Sequence, residues 1–136
     1  MNDDNAQQQT PGPGVWPCLR YRDAPAALDF LTEVLGFTQT ARYGDGDRID
    51  HAEIRWPGGG GVMLGSEKPG DSLVPVAVGT VYLVMPGEPE ITALYERVQS
   101  AGRIVRPLRR PDYGGAEFAV ADPEGVVWSI GTYAGE

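Results

Sequence analysis

Residues 21–37, YRDAPAALDFLTEVLGF, decide how the rest of the chain is read. Asp23 is a residue type whose carboxylate accepts a first-turn backbone N–H, and Pro25 suits a first turn because the N–H it lacks is not needed there. Gly36 is the residue that closes a helix in the left-handed conformation. Between them Ala27, Phe30, Leu31, Val34 and Leu35 fall at i, i+3, i+4, i+7 and i+8, while Asp29 and Glu33 lie off that stripe. The spacing predicts a helix from Asp23 to Gly36 with one apolar face.

Strand patterns flank it. Val15–Tyr21 precedes the helix and holds Pro17, which suits an edge position or a strand start. After it come Phe37–Tyr43, ending at the Gly44–Asp47 turn, then Ile49–Trp56, ending at Pro57, then a short Val62–Leu64. The glycine run Gly58–Gly61 lacks the Gly-Lys-Ser/Thr of a phosphate loop and is read as a hairpin turn. Beyond residues 66–79 the pattern restarts with a strand at Thr80–Met85. A helix at Glu90–Ala101 follows, with Ile91, Leu94, Tyr95 and Val98 on one face and Gly102 at its end. Strands at Arg103–Pro107, Gly115–Ala121 and Val126–Tyr133 complete the series. The interval from Gly36 to Gly102 equals that from Pro57 to Pro123.

This is an internal repeat. The expected fold class is α+β: two βαβββ modules, residues 15–65 and 80–133. They are preceded by a flexible arm, residues 1–14, and joined by a linker, residues 66–79, partly buried through Leu73, Val74, Val76 and Val78. Neither half is large enough to close a good core alone, so the two must pack together, within one chain or by exchange between two.

Composition narrows the function. The 136 residues carry a formal charge of −8 with pI near 4.5, which disfavours nucleic acid as a partner. One cysteine, Cys18, excludes an internal disulfide and a Cys-rich zinc site, and one histidine, His51, excludes paired-His motifs. No apolar run approaches the ~20 residues of a membrane span. The polar start MNDDNAQQQT is unlike a secretory signal, so a cytoplasmic domain is expected.

Tyr21-Arg22-Asp23, Ala27-Leu28-Asp29-Phe30-Leu31 and Leu35-Gly36-Phe37 resemble the first helix region of the vicinal oxygen chelate superfamily. Tyr113-Gly114-Gly115, Phe118, Asp122-Pro123-Glu124-Gly125, Trp128 and Ile130 are similar to its closing stretch. The superfamily includes glyoxalases, extradiol dioxygenases and bleomycin-resistance proteins. The resemblance, over residues 15–133, implies a cupped mixed sheet built from the two modules, with a ligand inside the cup. It also implies a homodimer, in some members with modules exchanged between chains. Metal-dependent members place four ligands at positions that fall here on Trp16, Glu53, Thr80 and Ser129; of these only Glu53 is a competent donor. His51 shares its strand face and Glu117 is a possible third donor, but a bound divalent metal is not the expectation.

Strand alternation then assigns faces. Ala52, Ile54 and Trp56 share a parity that faces the helices, which turns His51, Glu53 and Arg55 toward the cup. The family's ligand positions put Trp16, Cys18, Arg20, Thr80, Tyr82, Ser129 and Tyr133 there as well, with Glu117 beside them. Phe118, Val120, Trp128 and Ile130 are expected in the core. Arg20 and Arg55 are read as neutralising Glu53, Cys18 as a small buried hydrophobe, and Arg103, Arg106, Arg109 and Arg110 as a solvated loop rim. Tyr113-Gly114-Gly115 is read as a tight loop at the mouth.

An aromatic-walled cup with few charges has the make-up of a small-molecule pocket. The expected function is metal-free capture of an aromatic or cationic compound, such as an antibiotic. The alternative is a metal-dependent glyoxalase, dioxygenase or isomerase using Glu53. A third reading is a scaffold whose cup is vestigial.

Overall fold

The computed structural model describes residues 12–136. Most of the expected arm therefore lies outside the described residues, and Gly12, Pro13 and Gly14 belong to no helix or strand. Pro17 offers only a carbonyl, which accepts from Met63 N at 2.9 Å. Strand β1 accordingly begins at Cys18 (Cys18–Tyr21) rather than at Val15. Asp23 Oδ1 then accepts Ala26 N at 3.1 Å and caps helix α1, Ala24–Asp29.

The expected single helix changes pitch halfway. Phe30–Leu35 is π-helical, and the Thr32 hydroxyl donates back to the Leu28 carbonyl at 2.8 Å. Gly36, at φ 106°, sends its N–H to Leu31 O at 3.1 Å and closes the segment in a conformation that a side chain would strain. Strands β2 (Thr38–Tyr43), β3 (His51–Arg55) and β4 (Gly61–Ser66) complete the module. The glycine run is a hairpin turn between β3 and β4: Trp56 N donates to Gly60 O at 3.1 Å, and Gly59 N donates to Trp56 O at 2.9 Å.

The second module repeats the plan with β5 (Thr80–Val84), α2 (Glu88–Gln99), β6 (Arg103–Arg109), β7 (Glu117–Ala121) and β8 (Val127–Gly131). Strand order is β1-β4-β3-β2 in one sheet and β5-β8-β7-β6 in the other, each with one parallel pair and two antiparallel pairs. The linker is less buried than its apolar residues suggest, with Leu73 and Val78 exposed. It bridges the free edge of β1 through Arg20 and Val76, and Ala77 N donates to Arg20 O at 2.7 Å.

The helix-bearing faces of both modules share one hydrophobic core. Phe37 stands at its centre, with ring centroids 5.0 Å from Trp56 and 5.6 Å from Trp128. Trp56 Nε1 crosses to Val84 O at 2.8 Å, and Arg97 Nε to Val34 O at 2.9 Å. A buried polar latch adds to this. Asp122 Oδ2 accepts the Tyr21 hydroxyl at 2.5 Å and Trp128 Nε1 at 3.1 Å, while Oδ1 takes Glu124 N and Val126 N. The Glu124 carboxylate in turn accepts Arg22 N and Asp23 N. Burial, then the neighbouring Asp122 charge, raise the Tyr21 pKa above the ordinary tyrosine range. The two sequence stretches that carry the family resemblance thus meet and fasten the modules together. No helix among the described residues is long and apolar enough to cross a membrane.

Candidate functional site

Each sheet turns one face toward the shared core and leaves the other open. On the open face of the first module, register sets three rows. Arg55 stands opposite Gly61; Cys18, Met63, Glu53 and Ala41 lie side by side; Arg20 stands opposite Gly65, with the paired His51 and Tyr43 at the same end of the sheet. Alternation keeps Leu19, Tyr21, Ala52, Ile54, Val62 and Leu64 in the core beneath.

The two glycines make room for the large side chains. A Cβ at Gly61 would lie 2.6 Å from the Trp16 ring and 3.1 Å from Arg55 Cδ; one at Gly65 would lie 2.5 Å from Arg20 Nη1. Arg55 occupies the first gap, its guanidinium 5.2 Å from the Trp16 ring centroid, with Nε buried and without an acceptor among the described residues. Arg20 lies over the second and makes no ion pair among the described residues. His51 Nε2 and Glu53 Oε2 are 2.8 Å apart, and the Tyr43 ring stacks on His51 at 6.3 Å.

These positions correct two expectations. Arg20 and Arg55 do not neutralise Glu53, because they stand in flanking rows and the adjacent His51 takes the carboxylate. Cys18 is exposed rather than buried, since its parity turns it to the open face. It borders a cavity of about 250 Å³ whose lining includes Arg20, His51, Met63, Leu73 and Val74. Met63 was missed in the sequence. The alternation of Gly61, Met63 and Gly65 marks it once β4 is extended past Val62–Leu64 at both ends. Leu73 and Val74 gave no signal beyond being apolar in a linker.

The open face of the second module is arranged differently. Its floor is small: Ala119 beside Ser129, with Gly131 in the next row. Tyr82 folds over Gly131 and donates its hydroxyl to Tyr133 O at 2.9 Å, and Tyr113 meets the Tyr133 ring edge-on at 5.9 Å. Glu117 is buried and fully engaged. Oε1 accepts the Tyr113 hydroxyl at 2.5 Å, and Oε2 takes Arg109 at 2.6 Å and Arg106 at 3.4 Å. The Tyr113 bond, with Arg109 and Arg106 behind it, holds the Glu117 pKa below its ordinary value. The same bond raises that of Tyr113. Glu117 is therefore not free to pair a ligand cation. Nor are the arginines a loop rim: Arg106 and Arg109 lie on β6, and Arg110 is held by Glu88 at 2.8 Å.

Within one chain the structure does not bring the two open faces together. Among the described residues, no side-chain hydrogen bond, ion pair or ring contact joins Trp16, Arg20, His51, Glu53 or Arg55 to Tyr82, Glu117, Ser129 or Tyr133.

A catalytic divalent metal needs about three converging donors. Trp16, Thr80 and Ser129 supply no strong donor at three of the four implied positions. Glu53 and His51 are bonded to each other, and no three His, Cys, Asp or Glu side chains cluster among the described residues. The donor set does not fit such an ion.

Comparisons with known proteins agree with this architecture. Similar solved structures include TioX from Micromonospora sp. ML1, 26% identical, TM-score 0.71, covering 89% of this chain and all of that one. A glyoxylase/bleomycin resistance protein/dioxygenase domain from Frankia sp. EAN1pec is 17% identical, TM-score 0.69, covering 92% of this chain and all of that one. Lactoylglutathione lyase from Agrobacterium tumefaciens is 16% identical, TM-score 0.65, covering 90% and 95%. The last two likenesses concern the fold alone. No curated protein matches the sequence. The family model for the Glyoxalase/Bleomycin resistance protein/Dioxygenase superfamily matches residues 15–130, and the chain belongs to that superfamily.

Proposed function

We propose that the protein is a metal-free binding protein that captures a small, flat organic compound on the open face of its first module. The observation that carries this reading is the cavity beside Cys18 and Met63. It is about 250 Å³, walled by Met63, Leu73 and Val74, and has Arg20 and His51 as its polar groups. Apolar walls with a few placed polar groups suit stoichiometric capture of a drug-like or antibiotic-like molecule. The His51–Glu53 pair supports binding rather than catalysis, since the one strong donor at the inherited metal positions, Glu53, is bonded through Oε2 to its neighbour His51.

The ligand site is completed by a second copy of the chain. Tyr82, Tyr113 and Tyr133 are 44%, 65% and 48% exposed around the shallow Ala119–Ser129 floor. An exchanged homodimer sets that aromatic rim over the first module of its partner, closing a cup that one chain leaves open. Burial of such a rim is favourable at roughly 25 cal/mol per Å².

Calorimetry on chelator-treated protein with a panel of flat aromatic compounds tests the reading. Binding at one site per chain with micromolar affinity is expected, alongside a dimer in light scattering. Stoichiometric Zn, Ni, Mn or Fe in protein purified without chelators, lost in a Glu53→Gln variant, would overturn the metal-free reading.

A further inference from the structure

The charges on the open faces point to the kind of compound bound, an inference that rests on the capture reading above. The two carboxylates are engaged to different degrees: Glu117 at both oxygens by Tyr113, Arg109 and Arg106, and Glu53 at Oε2 by His51. A cationic ligand would have to break the Glu117 pairs or share Glu53 with His51. The cations are in the opposite condition. Among the described residues, Arg55 keeps a buried Nε with no acceptor and Arg20 makes no ion pair. Although the chain carries −8, this face holds two arginines against one carboxylate.

The two arginines differ in access. Arg55 is stacked on Trp16, and a side chain at Gly12 would come within 3.0 Å of its Nη2, so the segment before β1 covers it. Arg20 borders the cavity, its guanidinium spread over Gly65 where a Cβ would collide. A planar fork of donors beside Met63, Leu73 and Val74 is matched by an acid group attached to an apolar ring. One unpaired guanidinium balances one negative charge, which favours a carboxylate over a dianionic phosphate.

We infer that the captured compound is a flat, apolar monocarboxylate whose acid group is held by Arg20. The test is calorimetric titration of the full chain with 2-naphthoate, 2-naphthylmethanol, 2-naphthylmethylammonium and 2-naphthyl phosphate. The naphthoate is expected to bind about tenfold or more tighter than the ammonium and the alcohol, and tighter than the phosphate, since a charge-assisted hydrogen bond is worth about one such factor or more. Arg20→Gln is expected to remove that advantage while leaving the alcohol within about twofold, and Arg20→Lys to restore part of it. A tighter ammonium, or a naphthoate preference unchanged in Arg20→Gln, overturns the inference and leaves capture standing; a tighter phosphate overturns the carboxylate assignment. If none of the four binds to folded protein, capture itself fails and this inference with it. The ranking on the unmodified chain decides the matter even where Arg20→Gln does not fold.

Discussion

The two modules share a strand order and a helix, yet their open faces handle charge in opposite ways. In the first, glycines at 61 and 65 flank Met63, and among the described residues the arginines beside them have no carboxylate partners. In the second, Ala119 and Ser129 form a low floor, and Glu117 is tied at both oxygens by two arginines and a tyrosine. One face has unspent hydrogen-bonding capacity and a cavity; the other is internally satisfied and rimmed by exposed tyrosines. A duplicated scaffold therefore need not give duplicated sites. The topology fixes which residues stand side by side, and the residues at those positions decide whether a face receives a ligand or closes over one.

The contrast between faces rests on a common core, and breaking that core should erase it. Asp122→Ala leaves the Tyr21 hydroxyl and Trp128 N–H buried without a partner and frees two backbone N–H groups. A loss of about 3–4 kcal/mol is expected in urea unfolding, with both modules melting in one transition. Two separated transitions would show that the modules are energetically independent.

Next in size is the second face itself. Glu117→Ala should cost about 1–2 kcal/mol, less than a fully buried pair because both arginines are half exposed. The sign with pH follows from its lowered pKa. The unfolded chain takes up the proton first as pH falls, so stability is full above the ordinary carboxylate range and is lost on acidification. Glu117→Gln should flatten that acid limb; an unchanged limb would mean that other carboxylates set it.

Tyr21→Phe probes the latch more gently, with an expected loss of about 1 kcal/mol. Its hydroxyl holds its proton in the folded state, whereas the unfolded chain ionises near pH 10, so stability should fall above about pH 10. The variant should lose part of this alkaline dependence. The smallest effect is predicted for Glu53→Gln on the first face: its bond to His51 is half exposed, and stability should change by less than about 0.5 kcal/mol. A large loss there would contradict the view that this face is held ready for a ligand rather than for structure.

Much of the fold was legible because local signals agreed. Asp23 and Gly36 bounded the helix, and the repeated intervals to Gly102 and Pro123 exposed the duplication. Alternation in Ile49–Trp56 placed His51, Glu53 and Arg55 on one face, because a half-buried strand has a period of two. Other features depended on information that periodicity does not hold. The π turn at Phe30–Leu35 keeps the same apolar residues and changes only the hydrogen-bond step. The pairing of Glu117 with Arg106 and Arg109 crosses a hairpin with two register shifts, so counting residues along β6 cannot align them. Cys18 reads as a small buried hydrophobe from its residue type, although strand parity with Trp16 and Arg20 already turns it to the open face, where it is exposed. At the candidate site, residue types could be gathered from the sequence, but which charges remain unpaired is set by contacts between strands.

The central claim is that the first module binds a ligand without a metal. Titration of chelator-treated full chain with 2-naphthoate, repeated after adding Zn, Ni, Mn or Fe, tests it most directly. The account predicts one site per chain, the same affinity with and without metal, and loss of the binding preference in Arg20→Gln. Binding that appears only after metal is added, and disappears in Glu53→Gln, would contradict it.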